Sequence, residues 1–432
     1  MKNSVVKIFL FILSVIFTAC GDASFEKHNA PEMEDLTVSV NGAEAYVSCR
    51  LSSRSGVYTS YGFEYWKDDS GRMTVSEDGF PGEEFSCVIK DLEYDSDYEI
   101  CAYVCSGDRK YDFPVVGFRT DPDVIDGEFA DESFLQYCIS AFDADGDGHL
   151  SRKEAGEVTL LMLDGYKTPA LTDLDKFSNL DSLWLLRSSV SALDLSGCGS
   201  LSFVKAAGAH MTSLALPETS QIISLDVSDN CLSEIRLDGC AALESLDCTG
   251  NYDLSDLDIS PVRERLRTLK CEMVSVTDLN LDGCLNLEEL YFSNAEFAET
   301  AVSLDGCTKL KVLTAGNVKG AVSVSCFPEL EVLDLAYCGA QQELDLSANA
   351  ALRELKVVDC PSLRDVDAAR CVNLKKAVLW YTGLRTLDFS GCPALEEIDC
   401  RYNSSLVSVT LPATNGLTVR KDSGTVIEPR QA

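Results

Sequence analysis

The stretch Leu243 to Asn251 reads LESLDCTGN and sets Leu243, Leu246, Cys248 and Asn251 in the spacing LxxLxCxxN. A second apolar triplet, Leu254, Leu257 and Ile259, follows after a short turn. The same phrase opens at Ile222 (IISLDVSDN) and at Leu395 (LEEIDCRYN). Working outward, it starts at Val158, Leu180, Leu201, Ile222, Leu243, Leu266, Leu287, Leu310, Leu330, Leu352, Leu374 and Leu395, always 20 to 23 residues apart. A period that steady marks a solenoid, because a unit unable to bury its own apolar face must stack on its neighbours. Strand geometry sends alternate residues to opposite faces, Leu246 and Cys248 inward and Ser245, Asp247 and Thr249 to solvent on a concave sheet. Triplets such as Ile235-Arg236-Leu237 are expected to form the back wall and to close in Asp238-Gly239-Cys240. There the glycine supplies an unusual turn dihedral and the aspartate caps backbone donors.

This phrase resembles the leucine-rich repeat. With no amphipathic helix between strands, it is similar to the short internalin-like class and to the cysteine-bearing surface repeats of gut bacteria. The resemblance covers residues 158–413 and implies a mainly β fold of about 12 stacked repeats, with residues 414–432 as a C-terminal cap and tail. The asparagine of the phrase stands only at Asn230, Asn251 and Asn403. Ser188, Ala209, Val274, Ala295, Val318, Cys338, Cys360 and Thr382 replace it elsewhere, so some turn groups must find other partners.

Lys and Arg total 36 against 70 Asp and Glu, a net charge of −34 that excludes the cationic footprint nucleic acid requires. Cys198, Cys240, Cys284, Cys307, Cys371 and Cys392 share one repeat position, and Cys248, Cys271 and Cys400 share another. Columns of small apolar thiols account for both better than a disulfide framework does.

Ahead of the repeats, residues 1–20 read as a signal peptide. Lys2 and Lys7 lead the apolar run Ile8–Phe17, which ends in Phe17-Thr18-Ala19-Cys20. That ending resembles the lipobox of bacterial lipoproteins, with Phe17 where Leu or Val is usual, and implies cleavage before Cys20 and acylation of its thiol. Residues 21–33 are then a polar tether. Residues 34–121 alternate as strands do, in Ala45, Val47, Cys49 and Leu51 and again in Phe85, Cys87 and Ile89. Leu92–Tyr98 and the following Ile100, Ala102 and Val104 resemble the tyrosine corner and F strand of a fibronectin type III sandwich, which implies a spacer module. Trp66 and Tyr103 are read as strand-face packing.

Residues 122–157 carry the sharpest motif, DADGDGHLSRKE from Asp143 to Glu154. Leu135, Cys138, Ile139 and Phe142 precede it at helical spacing, with Asp131 as N-cap. The motif resembles an EF-hand or dockerin-like calcium loop. The resemblance implies ligands from Asp143, Asp145, Asp147, the His149 carbonyl, Ser151 and a bidentate Glu154, with Gly148 at the turn. The exit helix should last barely a turn before Val158, and no partner hand is visible. Ca²⁺ is the implied cofactor, fixing the joint between sandwich and solenoid.

Solvent-facing strand positions give an uneven concave face. Leu160, Met162, Trp184, Leu186 and Phe203 form an apolar start. Asp226, Asp247, Lys270, Glu272 and Tyr291 form a polar middle, and Val358, Val378, Trp380, Asp399 and Arg401 lie late. Contiguous exposed apolar surface marks contact sites, and Met162, Trp184, Phe203, Tyr291 and Trp380 are the candidate ligand residues. Only His28, His149 and His210 exist, with no nucleophile pairing, phosphate loop or zinc motif, so an enzyme is not expected. The whole resembles a Bacteroides-type surface lipoprotein, calcium-binding and outer-membrane-anchored, that adheres to a protein or glycan through its concave face. The alternative is a structural component docking another envelope protein, with calcium purely structural.

Overall fold

The computed structural model describes residues 31–52, 58–68, 71–79, 81–294, 300–413 and 416–429. The signal peptide, Cys20 and most of the tether lie outside the described residues. Two compact units emerge. One holds the described residues up to 127 together with 146–152, and the other holds 128–145 with everything from 153 on.

In the first unit, strands Met33–Asn41, Glu44–Leu51 and Glu84–Ile89 form one antiparallel sheet. Met73–Asp78, Ser60–Trp66 and Asp97–Ser106 form the other, with Arg109–Asp112 and Val116–Arg119 both pairing the long Asp97–Ser106 strand. Val47, Cys49 and Phe85 from the first sheet meet Phe63, Ile100 and Val104 from the second in one core, as aligned sandwiches require. Tyr98 is buried, and its hydroxyl accepts the Glu93 N–H at 3.0 Å. Trp66 and Tyr103 are both buried. Trp66 donates Nε1–H to Glu99 and lies under the Arg72 guanidinium, 4.1 Å from the ring centroid, so both rings serve packing.

The second unit is a leucine-rich-repeat solenoid. Thirteen parallel strands run in sequence order from Leu160–Asp164 to Thr418–Arg420. Twelve of them begin two residues after a repeat start read from the sequence. The thirteenth, Thr418–Arg420, shows that the C-terminal segment continues the stack by one more rung. Registers are strict: Leu225 pairs Leu246, which pairs Leu269, which pairs Leu290, and all four are buried. The back wall forms short parallel sheets of its own, such as Lys167–Leu171 with Ser189–Asp194 and Ser213–Ala215.

Eleven rungs leave the concave sheet through one residue with left-handed backbone, seven positions after the repeat start. Gly165, Arg187, Gly208, Asp229, Gly250, Met273, Asn317, Tyr337, Asp359, Tyr381 and Tyr402 occupy it, with φ between +49° and +73°. Inverting the backbone there aims the N–H at the next rung: Asp229 donates to the Thr249 carbonyl, Gly250 to Glu272 and Tyr337 to Val358. Glycine, asparagine and aspartate tolerate this conformation, whereas a bulky residue is strained by about 1 kcal/mol or more.

The asparagine follows directly. Asn251 Oδ1 accepts the Leu232 N–H at 3.0 Å, while Nδ2 donates to the Val227 and Cys248 carbonyls at 3.0 and 2.8 Å. Where asparagine is missing, smaller donors partly replace it. Ser188 Oγ donates to the Leu163 carbonyl at 2.5 Å, and the Cys338 and Cys360 thiols donate to Ala336 and Val358 at 3.5 Å.

One turn assignment is extended. Gly239 does need its left-handed turn (φ +83°), and a Cβ there would lie 2.1 Å from the Glu218 carbonyl oxygen. The expected aspartate caps at Asp282, whose Oδ1 accepts the Asp305 N–H of the next rung at 3.2 Å, and a further cap stands two residues before that position. Asp194, Asn280, Asp345 and Asp388 accept the N–H of residue i+2. In Asn280-Leu281-Asp282, the aspartate of the Asp-Gly-Cys turn is thus the backbone donor, because an Asx turn takes its donor two residues downstream.

All 18 described cysteines are free thiols. Both columns are buried, and burial pushes Cys198, Cys307, Cys371 and Cys392 up to about 12. Cys231 and Cys326 are exposed. A charged thiol reagent at pH 8 should therefore label these two solenoid cysteines in the native chain and reach the columns only in denaturant, as peptide mapping by mass spectrometry would read. Asn251→Ala strands the Leu232 N–H and two carbonyls in the core and should lower stability by about 3 kcal/mol, measured from urea midpoints.

Candidate functional sites: an acidic loop and an apolar strand face

Helix α1 (Glu132–Phe142) starts where the sequence places its cap. Asp131 Oδ1 accepts the N–H groups of Ser133 and Phe134 at 2.8 and 3.2 Å. Its second oxygen accepts the Tyr166 and Thr168 hydroxyls, both at 3.0 Å. One carboxylate thus caps α1 and joins it to the first back-wall strand. Asp173 does the reciprocal work, accepting the N–H groups of Ala130 and Asp131. Phe129, Phe134, Tyr166 and Phe177 pack their rings together at centroid separations of 5.9 to 6.4 Å. The Tyr137 hydroxyl donates to the Met162 carbonyl at 2.7 Å, so α1 covers the edge of the first strand, an edge that would otherwise offer unpaired backbone.

After α1 the chain enters the acidic loop. Carboxylate oxygens of Asp143, Asp145 and Asp147 lie within 4.8 Å of one another. Gly146 and Gly148 both take left-handed backbone, with φ +78° and +84°. Glu154 is buried and its Oε1 accepts the Ala144 N–H at 2.7 Å, which closes the loop on itself. The exit helix α2 (Arg152–Glu157) is short, as its glycine implies. His149 uses its ring on the Asp126 carboxylate at 2.7 Å, and Ser151 is half-buried beside it in the chain. Within the first unit, Leu150 and Ile125 are both buried. Ile125 N–H donates to the Leu150 carbonyl, and Leu150 N–H donates to Asp126. The loop's buried midpoint therefore pairs with the 125–126 segment. Gathered carboxylates of like charge repel at such separations, and an all-oxygen set of this kind suits a hard divalent cation.

On the concave sheet, Leu160, Met162, Trp184 and Phe203 stand together. Met162 pairs Trp184 in register, and Ser182 pairs both Leu160 and Phe203. Their side chains remain 37–45% exposed, so α1 takes the strand edge and leaves this face open. Leu186 is half-buried. The middle of the face is charged, with ion pairs such as Lys356–Asp334 at 2.7 Å. Tyr291 is half-buried there under the Lys270 ammonium, 5.5 Å from its ring centroid.

Two late positions expected on the open face are buried instead. Val378 lies between its register partners Lys356 and Asp399. Asp399 is covered by Arg401, which grips it with Nε and Nη2 at 2.9 and 2.7 Å. Burial alone would raise the Asp399 carboxyl, but the Arg401 guanidinium holds it below the usual range. Trp380 is half-buried and meets Tyr402 edge-on at 5.9 Å. Trp184 and Phe203 therefore belong to one patch with Met162, whereas Tyr291 and Trp380 sit on separate rungs. Period-two counting missed Tyr381 and Tyr402, which lie in the strand-exit turn. The run of Gly, Asn and Asp in that column was the signal for it.

No family model matches this chain, and no curated protein matches it. Among solved structures, it is similar to the functional domain of InlJ from Listeria monocytogenes, described as including a cysteine ladder. That match has 19% identity, covers 67% of this chain and 75% of that one, and has a TM-score of 0.48. It is also similar to an internalin, InlF, from Listeria monocytogenes, at 17% identity over 69% of this chain and 94% of that one, TM-score 0.48. A structure described as a myokine matches 22% of this chain and 97% of that one at 23% identity, TM-score 0.19.

Asp131→Ala should cost about 2 kcal/mol, since it removes a helix cap and two side-chain bonds. Burial raises the Asp131 carboxyl, but its four hydrogen bonds win and leave it below the usual value. A depressed carboxylate stabilises fully above the unfolded value of about 3.9 and loses that contribution as pH falls through its folded value. The stability gap between wild type and Asp131→Asn should therefore be full at pH 6 and shrink below about pH 4, read from urea midpoints across that range.

Proposed function

We propose that this chain is a calcium-binding, lipid-anchored protein of the outer membrane, exposed at the cell surface, that captures a protein ligand on the concave face of its solenoid. The observation that carries the binding role is the patch of Leu160, Met162, Trp184 and Phe203, held open on strands whose inward residues are fully buried. An aromatic and methionine cluster on a rigid sheet has the composition of interface cores. It is also preorganised, so little ordering opposes binding. The polar middle of the face suits a rim. The chain acts by holding a ligand and performs no chemistry on it.

The convergence of Asp143, Asp145 and Asp147, with Glu154 closing the loop, supports a calcium site. The His149 carbonyl and Ser151 would complete an oxygen shell. Bound calcium would neutralise the gathered carboxylates and fix the loop's conformation. Among the described residues no helix is long and apolar enough to cross a membrane, and attachment is assigned to acylated Cys20.

Three measurements test this reading. Radiolabelled fatty acid should enter the wild-type chain in cells and not Cys20→Ser. Calorimetric titration of the chelated protein should give a calcium Kd on the order of 10⁻⁴ to 10⁻³ M, abolished in Asp145→Ala/Glu154→Gln. A screen of cell-surface and matrix proteins should return a ligand whose affinity falls roughly tenfold or more in Trp184→Ala/Phe203→Ala. A ligand bound equally well by that double variant would remove the concave patch from the account.

A further inference from the structure

Three of the eleven residues at the left-handed strand exit are tyrosines, Tyr337, Tyr381 and Tyr402, with φ of +58°, +55° and +64°. Elsewhere the same turn is made by Gly165, Gly208, Gly250, Asp229, Asn317 and Asp359, residue types that adopt it with little strain, and by Arg187 and Met273. Tyr381 and Tyr402 have no core role to offset the strain, since they are 48% and 49% exposed. Strain concentrated in exposed, bulky residues is a mark of function.

The two rings also form an ordered surface. They stack at 5.0 Å between centroids, only 10° from parallel, on successive rungs. Trp380 abuts Tyr402 edge-on, and the Arg401 guanidinium lies 5.5 Å from the Tyr402 centroid. Arg401 spends its charge on buried Asp399. One rung before Tyr381, the same column holds Asp359, whose half-buried carboxylate makes no ion pair among the described residues. Aromatic faces and a carboxylate in a chain of net charge −34 attract cations. Trp, Tyr and Arg are the residues that dominate protein interfaces.

We propose that this edge of the solenoid, Tyr381 and Tyr402 flanked by Asp359, is a docking surface for a protein segment bearing lysine or arginine. It is separate from the apolar patch on the first three rungs, lying in the strand-exit turns and not on the sheet face. The cationic side chain sits against the exposed tyrosine rings and pairs with Asp359. The stacked rings stay fixed because Trp380 and the Arg401–Asp399 pair buttress them.

Panning a displayed random dodecapeptide library on the full-length chain tests the proposal. Peptides carrying lysine or arginine should be enriched. Their binding should fall roughly tenfold in Asp359→Asn and more in Tyr381→Asn/Tyr402→Asn, and should be unchanged in Trp184→Ala/Phe203→Ala. Asparagine suits the left-handed turn, so the tyrosine double variant should melt at the wild-type temperature or above it. A lower melting temperature would make the tyrosines structural and overturn the proposal. So would enrichment of peptides without cationic residues, no enrichment at all, or binding indifferent to these variants. A glycan array run with the same proteins completes the test, because glycan binding lost with the tyrosines would replace the protein partner by a carbohydrate.

Discussion

Everything in the solenoid depends on one constraint, the in-register stacking of parallel rungs. A rung alone can neither bury its leucines nor satisfy its backbone. Its inward leucine must lie over the one before, as Leu225, Leu246, Leu269 and Leu290 do. Its turn amides must find carbonyls on the next rung, as Asp229 finds Thr249. A single-residue slip would exchange the core and solvent faces of the sheet. The repeat length can drift between 20 and 23 residues because the drift is absorbed in the back wall, while the strand phrase keeps its spacing.

A stack has two ends, and each exposes what the interior hides. At the start, α1 answers the problem with a small set of bonds. Asp131 and Asp173 exchange caps with the chain around them, Tyr137 holds the first strand's edge, and four aromatic rings fill the space between. At the finish, Thr418–Arg420 adds a thirteenth strand to the concave sheet, and the Asp422 side chain beyond it accepts the Tyr402 and Asn403 N–H groups. Because backbone needs are met within the stack, side chains on the exposed face and turns are left available for binding.

The structure also separates two kinds of polar residue that look alike in sequence. Asn230, Asn251 and Asn403 are buried and spend their side chains on turn backbone. The loop carboxylates Asp143, Asp145 and Asp147 instead gather toward one another. Both are polar residues at fixed spacing, but the first set removes a need inside the fold and the second concentrates like charge in one loop.

The repeat phrase opened at Leu243 was enough to determine the solenoid and its buried thiol columns, and the separate DADGDGHLSRKE motif marked the acidic loop, because each rests on local periodicity or spacing. It also fixed which residues alternate toward solvent on the first rungs, where Met162, Trp184 and Phe203 stand as counted. Tertiary structure decided what periodicity cannot encode. Asp399 left the open face because Arg401, two residues away, folds over it. Some back-wall turns took a further cap from the residue two positions earlier, where its side chain reaches the right N–H. The run of Gly, Asn and Asp in the strand-exit column signals the turn, but that tyrosines at 337, 381 and 402 adopt the same left-handed backbone became visible only through the angles. Alternation along a strand is local physics. Burial of a charge and the sign of φ in a turn are set by the neighbouring rung.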